Sequence, residues 1–475
     1  MKVLQNFIGG AWEESRSAVQ LDLINPSTAQ VIARYPAGSP EDVDLAVDAA
    51  IEAHTSWTAL SIVERVERLN QWATAIAEHA DELAELECRE MGKPVALGRS
   101  FIDGAVQGFR FAVEEALTYP FAETILAPDS SSTTIVRHSL GATAVITPWN
   151  FPVPMVLGAL GPLLAAGNTV VVKPSERSPL STARLFELCT LPTGVANLVL
   201  GDARAGAPLT AHQKIRLVHF TGSVQAGRRI GAETGSRLCR SVLELGGKDP
   251  VVVDAGVDPV ATAAAVAFGA FVNTGQICTS MERIYVHHDI ADAFIDALTD
   301  AAATYTLGDG HDADTVLGPL VDDRQRTTVH QHVVDARARG ARVRCGGEIP
   351  DGSGFFYPAT VLTDVDDSML VMTEETFGPL APVVVVSSFE EGIELASKSR
   401  FALGATVYTS DPAHAAAAGA IPAGVTWINQ WQGGGPERLY EPAGDSGMGA
   451  TGARAAYDAA TRPATIHTAA GLGSA

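Results

Sequence analysis

Two hydrophobic periodicities divide the chain. Over residues 41–116, apolar positions recur at helical spacing through DVDLAVDAAIEA and again through VERLNQWATAIAEHADELAELECREMG. Gly92 and Pro94 then predict the end of a helix, because glycine caps helices and proline cannot continue them. This region is therefore predicted to be helical.

Between Ala142 and Leu245 the pattern changes to short apolar runs separated by helix-length segments. The runs TAVIT, TVVVK, ANLVL and IRLVHFT are almost entirely apolar, as strands of a parallel sheet covered on both faces are. A doubly wound α/β layout of this kind is typical of nucleotide sites at the carboxyl ends of the strands. A second αβ series starts near Lys248 with PVVVD, RIYVH and PVVVVSSF, which predicts a second unit of similar type.

The segment ETILAPDSSSTTIVRHSLG lies between the helical region and the first αβ series. Its alternating, polar pattern does not fit a βαβ unit and predicts a projecting hairpin instead. We expect this hairpin to contact a partner subunit.

Composition excludes several classes of protein. Lys plus Arg number 33 and Asp plus Glu number 55, for a net charge of −22, which argues against nucleic-acid and anionic-membrane surfaces. The N-terminus lacks the apolar run of a signal peptide, and no apolar stretch is long enough for a membrane span. The five scattered cysteines form no CxxC pair, which disfavours disulfides and a metal site and favours a reducing cytoplasm.

Two segments suit a nucleotide. HFTGSVQAG places Gly222 and Ser223 where a strand meets a helix N-terminus, a position that suits a pyrophosphate, although a simple helix cap has the same pattern. In VVVKPSE, Lys173 can donate to ribose hydroxyls, and Glu176 can accept from a 2′-hydroxyl and repel a 2′-phosphate. The alternative for this pair is a surface ion pair.

Three further residues suit acyl chemistry. Cys278 of NTGQICTS is either a core cysteine or a nucleophile, which needs a thiolate or a base. Glu244 of SVLELGGKDP ends an apolar run, where a raised pKa suits a base for water, unless it pairs with Lys248. Asn150 of TPWNFPVPM is either a turn asparagine or an amide that donates to an oxyanion.

In order, PWNFP, KPSE, FTGS, LELGGK, GQICTS and EETFGP resemble the NAD(P)-dependent aldehyde dehydrogenase superfamily. The resemblance runs from FIGGAW to SGMGATG, and Cys278 follows Glu244 by 34 positions, as in the family. It implies that Cys278 attacks the aldehyde, that Asn150 and the backbone N–H of Cys278 hold the oxyanion, and that Glu244 activates water to hydrolyse the thioacyl-enzyme.

The resemblance also implies a coenzyme site and a substrate pocket. The implied coenzyme contacts are Trp149, Lys173, Glu176, Gly222, Ser223, Glu375 and Phe377. The implied pocket residues are Met155, Ile277, Thr279, Trp431 and Tyr440. NAD is expected as the coenzyme, with NADP as the alternative that Glu176 disfavours.

The family fold is α/β, with two doubly wound αβ domains and a small β oligomerisation ribbon. The expected division is a Rossmann-variant cofactor domain of residues 1–117 and 141–246, a catalytic domain of residues 247–430, and a ribbon and tail of residues 118–140 and 431–475. A homodimer or homotetramer is implied.

The sequence departs from the family near its end, where LYEPAGDSG stands in place of PFGGxKxSG. Gly158 leaves room for a ring, and Arg283 is expected to have a structural role, so an aromatic or aliphatic aldehyde is favoured. Arg438 in the divergent loop keeps a semialdehyde open. The sequence also leaves open a coenzyme-A-acylating enzyme, which the presence of Glu244 disfavours, and a non-catalytic binding protein on the same scaffold, which the presence of Cys278, Glu244 and Asn150 together disfavours.

Overall fold

A computed structural model describes residues 2–435 and 438–470. Its first part contains five short strands followed by four helices: β1 (Lys2–Val3), β2 (Asn6–Ile8), β3 (Ala11–Glu13), β4 (Gln20–Asn25), β5 (Gln30–Pro36), α1 (Pro40–Ala59), α2 (Ile62–Glu78), α3 (Ala80–Met91) and α4 (Val95–Glu114). The predicted stop is confirmed, because α3 ends at Gly92, whose φ of 86° is left-handed.

A hairpin and the first αβ series follow: β6 (Ala122–Leu126), β7 (Ser132–Ser139), β8 (Ala142–Ile146), α5 (Pro152–Ala165), β9 (Thr169–Lys173), α6 (Pro179–Glu187), β10 (Ala196–Leu198), α7 (Ala203–Ala211), β11 (Leu217–Thr221), α8 (Val224–Ser236) and β12 (Arg240–Glu244). Every residue of β8, β9 and β10 is buried. This is why these strands are apolar throughout instead of alternating.

The second αβ series and the tail complete the chain: β13 (Asp249–Val253), α9 (Pro259–Phe271), β14 (Met281–His287), α10 (Ala291–Ala303), α11 (Asp323–Ala338), β15 (Arg342–Cys345), β16 (Thr360–Thr363), α12 (Leu370–Thr373), β17 (Leu380–Val386), α13 (Phe389–Ser397), β18 (Phe401–Ala402), β19 (Gly404–Tyr408), α14 (Pro412–Ala417), β20 (Val425–Ile428), β21 (Ala443–Gly444), β22 (Gly447–Met448), α15 (Ala453–Ala460) and β23 (Thr461–Thr468). None of the described helices is both long and apolar enough to cross a membrane.

Two large sheets organise these elements. The first has the order β22-β12-β11-β8-β9-β10-β2-β3, in which β8 to β12 are parallel and the strands at both edges are antiparallel. The second has the order β15-β16-β17-β14-β13-β19-β20, parallel except for β15. Each is wound in both directions along the sheet, as the sequence predicts.

Three strands form a separate antiparallel ribbon, β23-β7-β6. Strand β23 pairs with β7 along its whole length, so the tail of the chain joins the hairpin. The five residues of β6 are all exposed. The tail also contributes β22 to the edge of the first sheet, so it is not confined to the ribbon.

Candidate active site

The first sheet brings one group of candidate residues to a single edge. Trp149 and Asn150 follow β8, Lys173 ends β9, Ser223 follows β11 and Glu244 ends β12. Because these strands are parallel, their carboxyl ends lie side by side.

The second sheet approaches the same place with the opposite ends of its strands. Cys278 precedes β14, Gly246 and Gly247 precede β13, and Glu375 and Phe377 precede β17. A Cβ at Gly247 would lie 2.6 Å from the carbonyl oxygen of Cys278, so only glycine fits there.

A strained turn presents the Cys278 loop. Asn273, Thr274 and Gly275 all have left-handed backbones, with φ of 53°, 58° and 67°, a conformation that costs energy for residues with a side chain. A Cβ at Gly275 would lie 2.2 Å from the carbonyl oxygen of Gly378. The loop before Cys278 therefore packs directly on the loop that carries Phe377.

The side chain of Gln276 fixes this turn from inside. Its Oε1 accepts from the backbone N–H of Val321 at 2.9 Å, and its Nε2 donates to the carbonyl of Asn273 at 3.1 Å. The position of Cys278, two residues later, is therefore set by buried hydrogen bonds.

Asn150 connects the two sides of the site. It is 4 % exposed, and its Nδ2 donates to the carbonyl of Gln276 at 2.9 Å. Its side chain thus reaches the cysteine loop and does not close its own turn. An amide nitrogen carries two N–H donors, and this bond uses one of them.

Glu244 is buried without a neighbouring cation. Burial raises its pKa to about 8, and a hydrogen bond from Thr451 Oγ1 to its Oε1, 2.9 Å long, acts in the opposite direction. The alternative of a Glu244–Lys248 pair is wrong, because the ammonium of Lys248 instead lies 2.6 Å from the carboxylate of Glu282.

The thiol of Cys278 is surrounded by groups that disfavour its ionisation. Burial raises its pKa most, and the charges of Glu244, Asp249 and Glu375 raise it further. The thiol is therefore protonated at rest and needs a proton acceptor to become a nucleophile. Burial raises the pKa of Tyr440 well above its ordinary value, and the charges of Cys278 and Glu244 raise it further.

Lys173 and Glu176 do not form a surface ion pair. The buried ammonium of Lys173 donates to the carbonyls of Pro174 and Gly201 at 2.7 and 2.8 Å, which leaves one of its three donors free. The carboxylate of Glu176 is exposed just beyond it.

The junction at Gly222 and Ser223 forms a helix cap, the alternative that the sequence left open for it. Ser223 Oγ accepts from the N–H of Ala226 at 3.4 Å and starts α8. A capped helix N-terminus still points further N–H groups and the positive end of its dipole at an incoming anion.

A buried carboxylate holds the loop of Glu375 and Phe377. Glu282 accepts from the backbone N–H groups of Thr376 and Phe377, both at 2.8 Å, as well as from Lys248. Phe377 has a left-handed backbone with φ of 51°, which this carboxylate stabilises.

The loop held in this way presents Glu375 and Phe377 as one wall of the site beside Cys278. Glu375 Oε1 accepts from the N–H of Gly247 at 3.1 Å, and burial raises the pKa of Glu375 to about 8. The ring of Phe377 meets that of Trp149 edge to face, with 5.3 Å between the centroids.

Three of the predicted pocket residues lie in one apolar cluster. Met155, Ile277 and Trp431 pack together with Leu97, Phe101, Phe151 and Val272. Trp431 Nε1 donates to the backbone carbonyl of Thr279, and Gln432 Nε2 donates to the hydroxyl of the same threonine. One turn from Met155 on α5, a Cβ at Gly158 would meet nothing within 4 Å.

Several functional candidates were missed by sequence reasoning. Thr451 lies within SGMGATG, a motif that had no chemical role, and Glu282 is an acid in a strand that is otherwise buried and mostly apolar. Asp249, whose pKa burial raises well above its ordinary value, is a third. An ionisable residue at the start of a buried strand was the available signal for the last two.

Comparisons with known proteins give matches over nearly the whole chain. The model of the aldehyde dehydrogenase family matches residues 12–466. The chain is 37% identical over 474 residues to a 3,6-anhydro-alpha-L-galactose dehydrogenase from Streptomyces coelicolor, covering 97% of this chain and 95% of the relative. It is 35% identical over 433 residues to a succinate-semialdehyde dehydrogenase [NADP(+)] from Escherichia coli, covering 90% and 89%. A betaine aldehyde dehydrogenase from Staphylococcus aureus in complex with NAD+ superposes with a TM-score of 0.94, at 31% identity and with 99% and 95% of the two chains covered.

Proposed function

Because the chain belongs to the aldehyde dehydrogenase family, we propose that it oxidises an aldehyde to the carboxylic acid through a covalent adduct on Cys278. The observation that carries this proposal is the convergence of Cys278, Asn150 and Glu244 from opposite ends of two sheets. Aldehyde oxidation by a nicotinamide coenzyme is the activity of the family.

The first step forms a bond between the Cys278 sulfur and the carbonyl carbon of the aldehyde. The thiol gives its proton to water as the sulfur attacks, and the carbonyl oxygen becomes an oxyanion. The remaining N–H of Asn150 and the backbone N–H of Cys278 are the donors that would stabilise this charge. A nicotinamide coenzyme, when bound, would supply the hydride acceptor that turns this adduct into a thioester.

The second step releases the acid from the thioester. Glu244 accepts a proton from water, the oxygen attacks the thioester carbon, and the sulfur leaves. A base with a pKa of about 8 accepts a proton readily near that pH. This base supports hydrolysis over acyl transfer to coenzyme A, and the intact set of Cys278, Asn150 and Glu244 supports an enzyme over a non-catalytic scaffold.

The residues of the first-sheet edge fit a dinucleotide. The free N–H of Lys173 and the exposed carboxylate of Glu176 suit ribose hydroxyls, and the N-terminus of α8 at Gly222 and Ser223 suits a pyrophosphate. Trp149, Glu375 and Phe377 would then border the nicotinamide half, since they lie between this edge and Cys278.

NAD is proposed over NADP because the negative charge of Glu176 repels a 2′-phosphate. Glu176→Gln removes that charge and should raise the ratio of kcat/KM for NADP to that for NAD by about tenfold, the equivalent of about 1.4 kcal/mol. Steady-state kinetics with both coenzymes measures it. An unchanged ratio would remove the basis for the NAD preference.

An apolar aliphatic or aromatic aldehyde is the proposed substrate. Met155, Ile277 and Trp431 belong to one apolar cluster, and the carbonyl of Thr279 accepts from Trp431; with Tyr440, these residues are the proposed substrate pocket. Arg283 donates to carbonyls of its own domain and to Tyr285, and Arg438 donates to the carbonyl of Gly433. Arg283 is thus committed to its own neighbours, whereas Arg438 keeps further N–H donors, so a semialdehyde remains the second candidate.

Two experiments test this function. Cys278→Ala should lower aldehyde-dependent NADH formation by about 10⁴-fold or more while coenzyme binding, followed by fluorescence titration, is retained. A panel of aromatic, aliphatic and semialdehyde substrates should then give the highest kcat/KM with an apolar aldehyde. Undiminished turnover of the Cys278 variant would contradict the assignment.

Assembly, location and domain division are further parts of the proposal. The exposed strand β6 of the ribbon, including Ile125 and Leu126, supports a homodimer or homotetramer. Five free cysteines support a cytoplasmic location. The division into residues 1–117 with 141–246, 247–430, and 118–140 with 431–475 stays a prediction, and 436–437 and 471–475 lie outside the described residues.

A further inference from the structure

A second cluster of reactive side chains lies apart from the active site. Cys88 on α3 faces Asp309 and His311, which lie in the loop between α10 and α11. The Cys88 sulfur, a carboxylate oxygen of Asp309 and a ring nitrogen of His311 all lie within 4.8 Å of one another. Cysteine, histidine and aspartate are the ligand types that Zn²⁺ prefers.

The distances suit a small tetrahedral ion. Cys88 Sγ and His311 Nδ1 are 3.7 Å apart. Zn–S and Zn–N bonds of about 2.3 and 2.0 Å place the two ligand atoms roughly 3.5 Å apart at a tetrahedral angle. The Asp309 carboxylate is the hydrogen-bond partner of the same Nδ1 at 2.5 Å. It would have to move by about 0.8 Å to share the ion, because two ligand atoms at about 2.0 Å from a tetrahedral ion lie roughly 3.3 Å apart.

The other nitrogen of the ring is already held. His311 Nε2 lies 3.0 Å from the carboxylate of Glu85, which is one helical turn before Cys88 on α3. Metal-binding histidines typically donate their second N–H to a carboxylate, which fixes the ring with its other nitrogen towards the metal. Glu85 therefore points His311 Nδ1 at Cys88.

The backbone is shaped for this approach. A Cβ at Gly310 would lie 2.7 Å from Cys88 Sγ and 3.0 Å from the Cα of Pro94, so only glycine lets the loop come this close. Cys88 is 1 % exposed, whereas the side chains of Asp309 and His311 are 34 and 39 % exposed. An ion can thus enter from solvent and reach a buried thiol.

We propose that Cys88, Asp309 and His311 form a Zn²⁺ site that links helix α3 to the loop of the second αβ unit. Binding releases the thiol proton of Cys88, and water occupies the fourth position on the solvent side. The expectation of no metal site rested on local cysteine spacing. This cluster joins residues 223 positions apart, so local spacing does not reveal it.

Cobalt absorbance tests the site directly. In metal-free Cys278→Ser protein, which lacks the active-site thiol, Co²⁺ should bind at one ion per chain with the sulfur-to-cobalt charge-transfer band of a thiolate ligand. Adding Cys88→Ser should abolish the band, and Glu85→Gln should weaken affinity about 10- to 100-fold. Cys345→Ser is the matched control, and it should keep the band.

Thermal unfolding gives a second readout that does not depend on aldehyde turnover. Zn²⁺ at a hundredfold excess over its Kd should raise the Tm of the Cys278→Ser protein by about 2–3 °C. His311→Gln and Asp309→Asn change half-exposed side chains, so the fold should persist while the shift disappears. Absence of a charge-transfer band in the parent, or a band that survives Cys88→Ser, would overturn the proposal.

Discussion

The two large sheets share one architecture but meet the active site with opposite ends. The first sheet supplies Asn150, Lys173 and Glu244 from the carboxyl ends of its strands, whereas the second supplies Cys278 and Glu375 from loops before its strands. Parallel topology alone brings the first group together, because the carboxyl ends of neighbouring parallel strands lie at the same edge of a sheet. The second group depends on strained turns and buried hydrogen bonds instead.

This difference separates two tasks. In the proposed mechanism, the first-sheet residues serve as base, oxyanion donor and dinucleotide contacts, and they lie at the ends of strands. Residues of the second sheet present the nucleophile and the wall beside it, and they need Gln276 and Glu282 to hold their loops. Variants of first-sheet residues should therefore lower turnover, whereas variants that loosen the second-sheet loops should also lower stability and weaken coenzyme binding.

Apart from loss of the nucleophile itself, the largest effect is expected on the first-sheet side, from Glu244→Gln. The amide cannot accept a proton from water, so steady turnover should fall by roughly 10²–10⁴-fold. Stopped-flow absorbance should still show a burst of NADH, because the thioacyl-enzyme forms and then accumulates. Normal steady turnover would mean that another group is the base.

On the second-sheet side, Glu282→Gln should act through the loops and the fold. It removes the counter-charge of the buried Lys248 ammonium and weakens the hold on Phe377. Breaking a buried pair in this way costs about 3–5 kcal/mol of the free energy of unfolding. Denaturant unfolding measures this loss, and steady-state kinetics should show a raised KM for the coenzyme.

The control for this variant is Glu394→Gln, which removes an exposed partner of Lys398. It should change the free energy of unfolding by less than about 1 kcal/mol. If Glu282→Gln and Glu394→Gln lowered the free energy of unfolding equally, the buried pair of Glu282 and Lys248 would not be the special support that we infer.

The smallest effect is expected from Thr451→Val. Its hydroxyl donates to Glu244 and so keeps the pKa of that carboxyl lower than burial alone would. Since the base acts as the carboxylate, hydrolysis should rise with pH through about 8 in the parent protein. The variant should show the same rise displaced to higher pH, with a few-fold slower rate at neutral pH.

A pH profile of kcat, taken where hydrolysis limits the rate, measures this displacement. Thr451→Ser keeps the hydroxyl and should keep the parent profile. If valine and serine variants have the same profile, Thr451 does not tune the base.

The sequence predicted the first sheet more fully than the second. Apolar runs in a βαβ rhythm indicated β8, β9 and β11 and therefore where Lys173 and Ser223 would lie. Nothing in NTGQICTS revealed three left-handed residues in succession, because asparagine and threonine at such angles are held by tertiary contacts. The ion-pair partner of Lys248 could not be predicted either, since Glu282 lies 34 positions away on another strand.

The segment from Ala443 onward touches every major part of the molecule. Ala443–Gly444 pairs with β18, Gly447–Met448 with β12, and β23 with the ribbon, while Thr451 donates to Glu244. Translation runs from the N-terminus, so this segment is made after the central strands of both sheets. Those strands can therefore pair on a growing chain before Thr451 reaches Glu244 and before β23 joins the ribbon. One late segment thus completes both the hydrogen bond to Glu244 and the three-stranded ribbon.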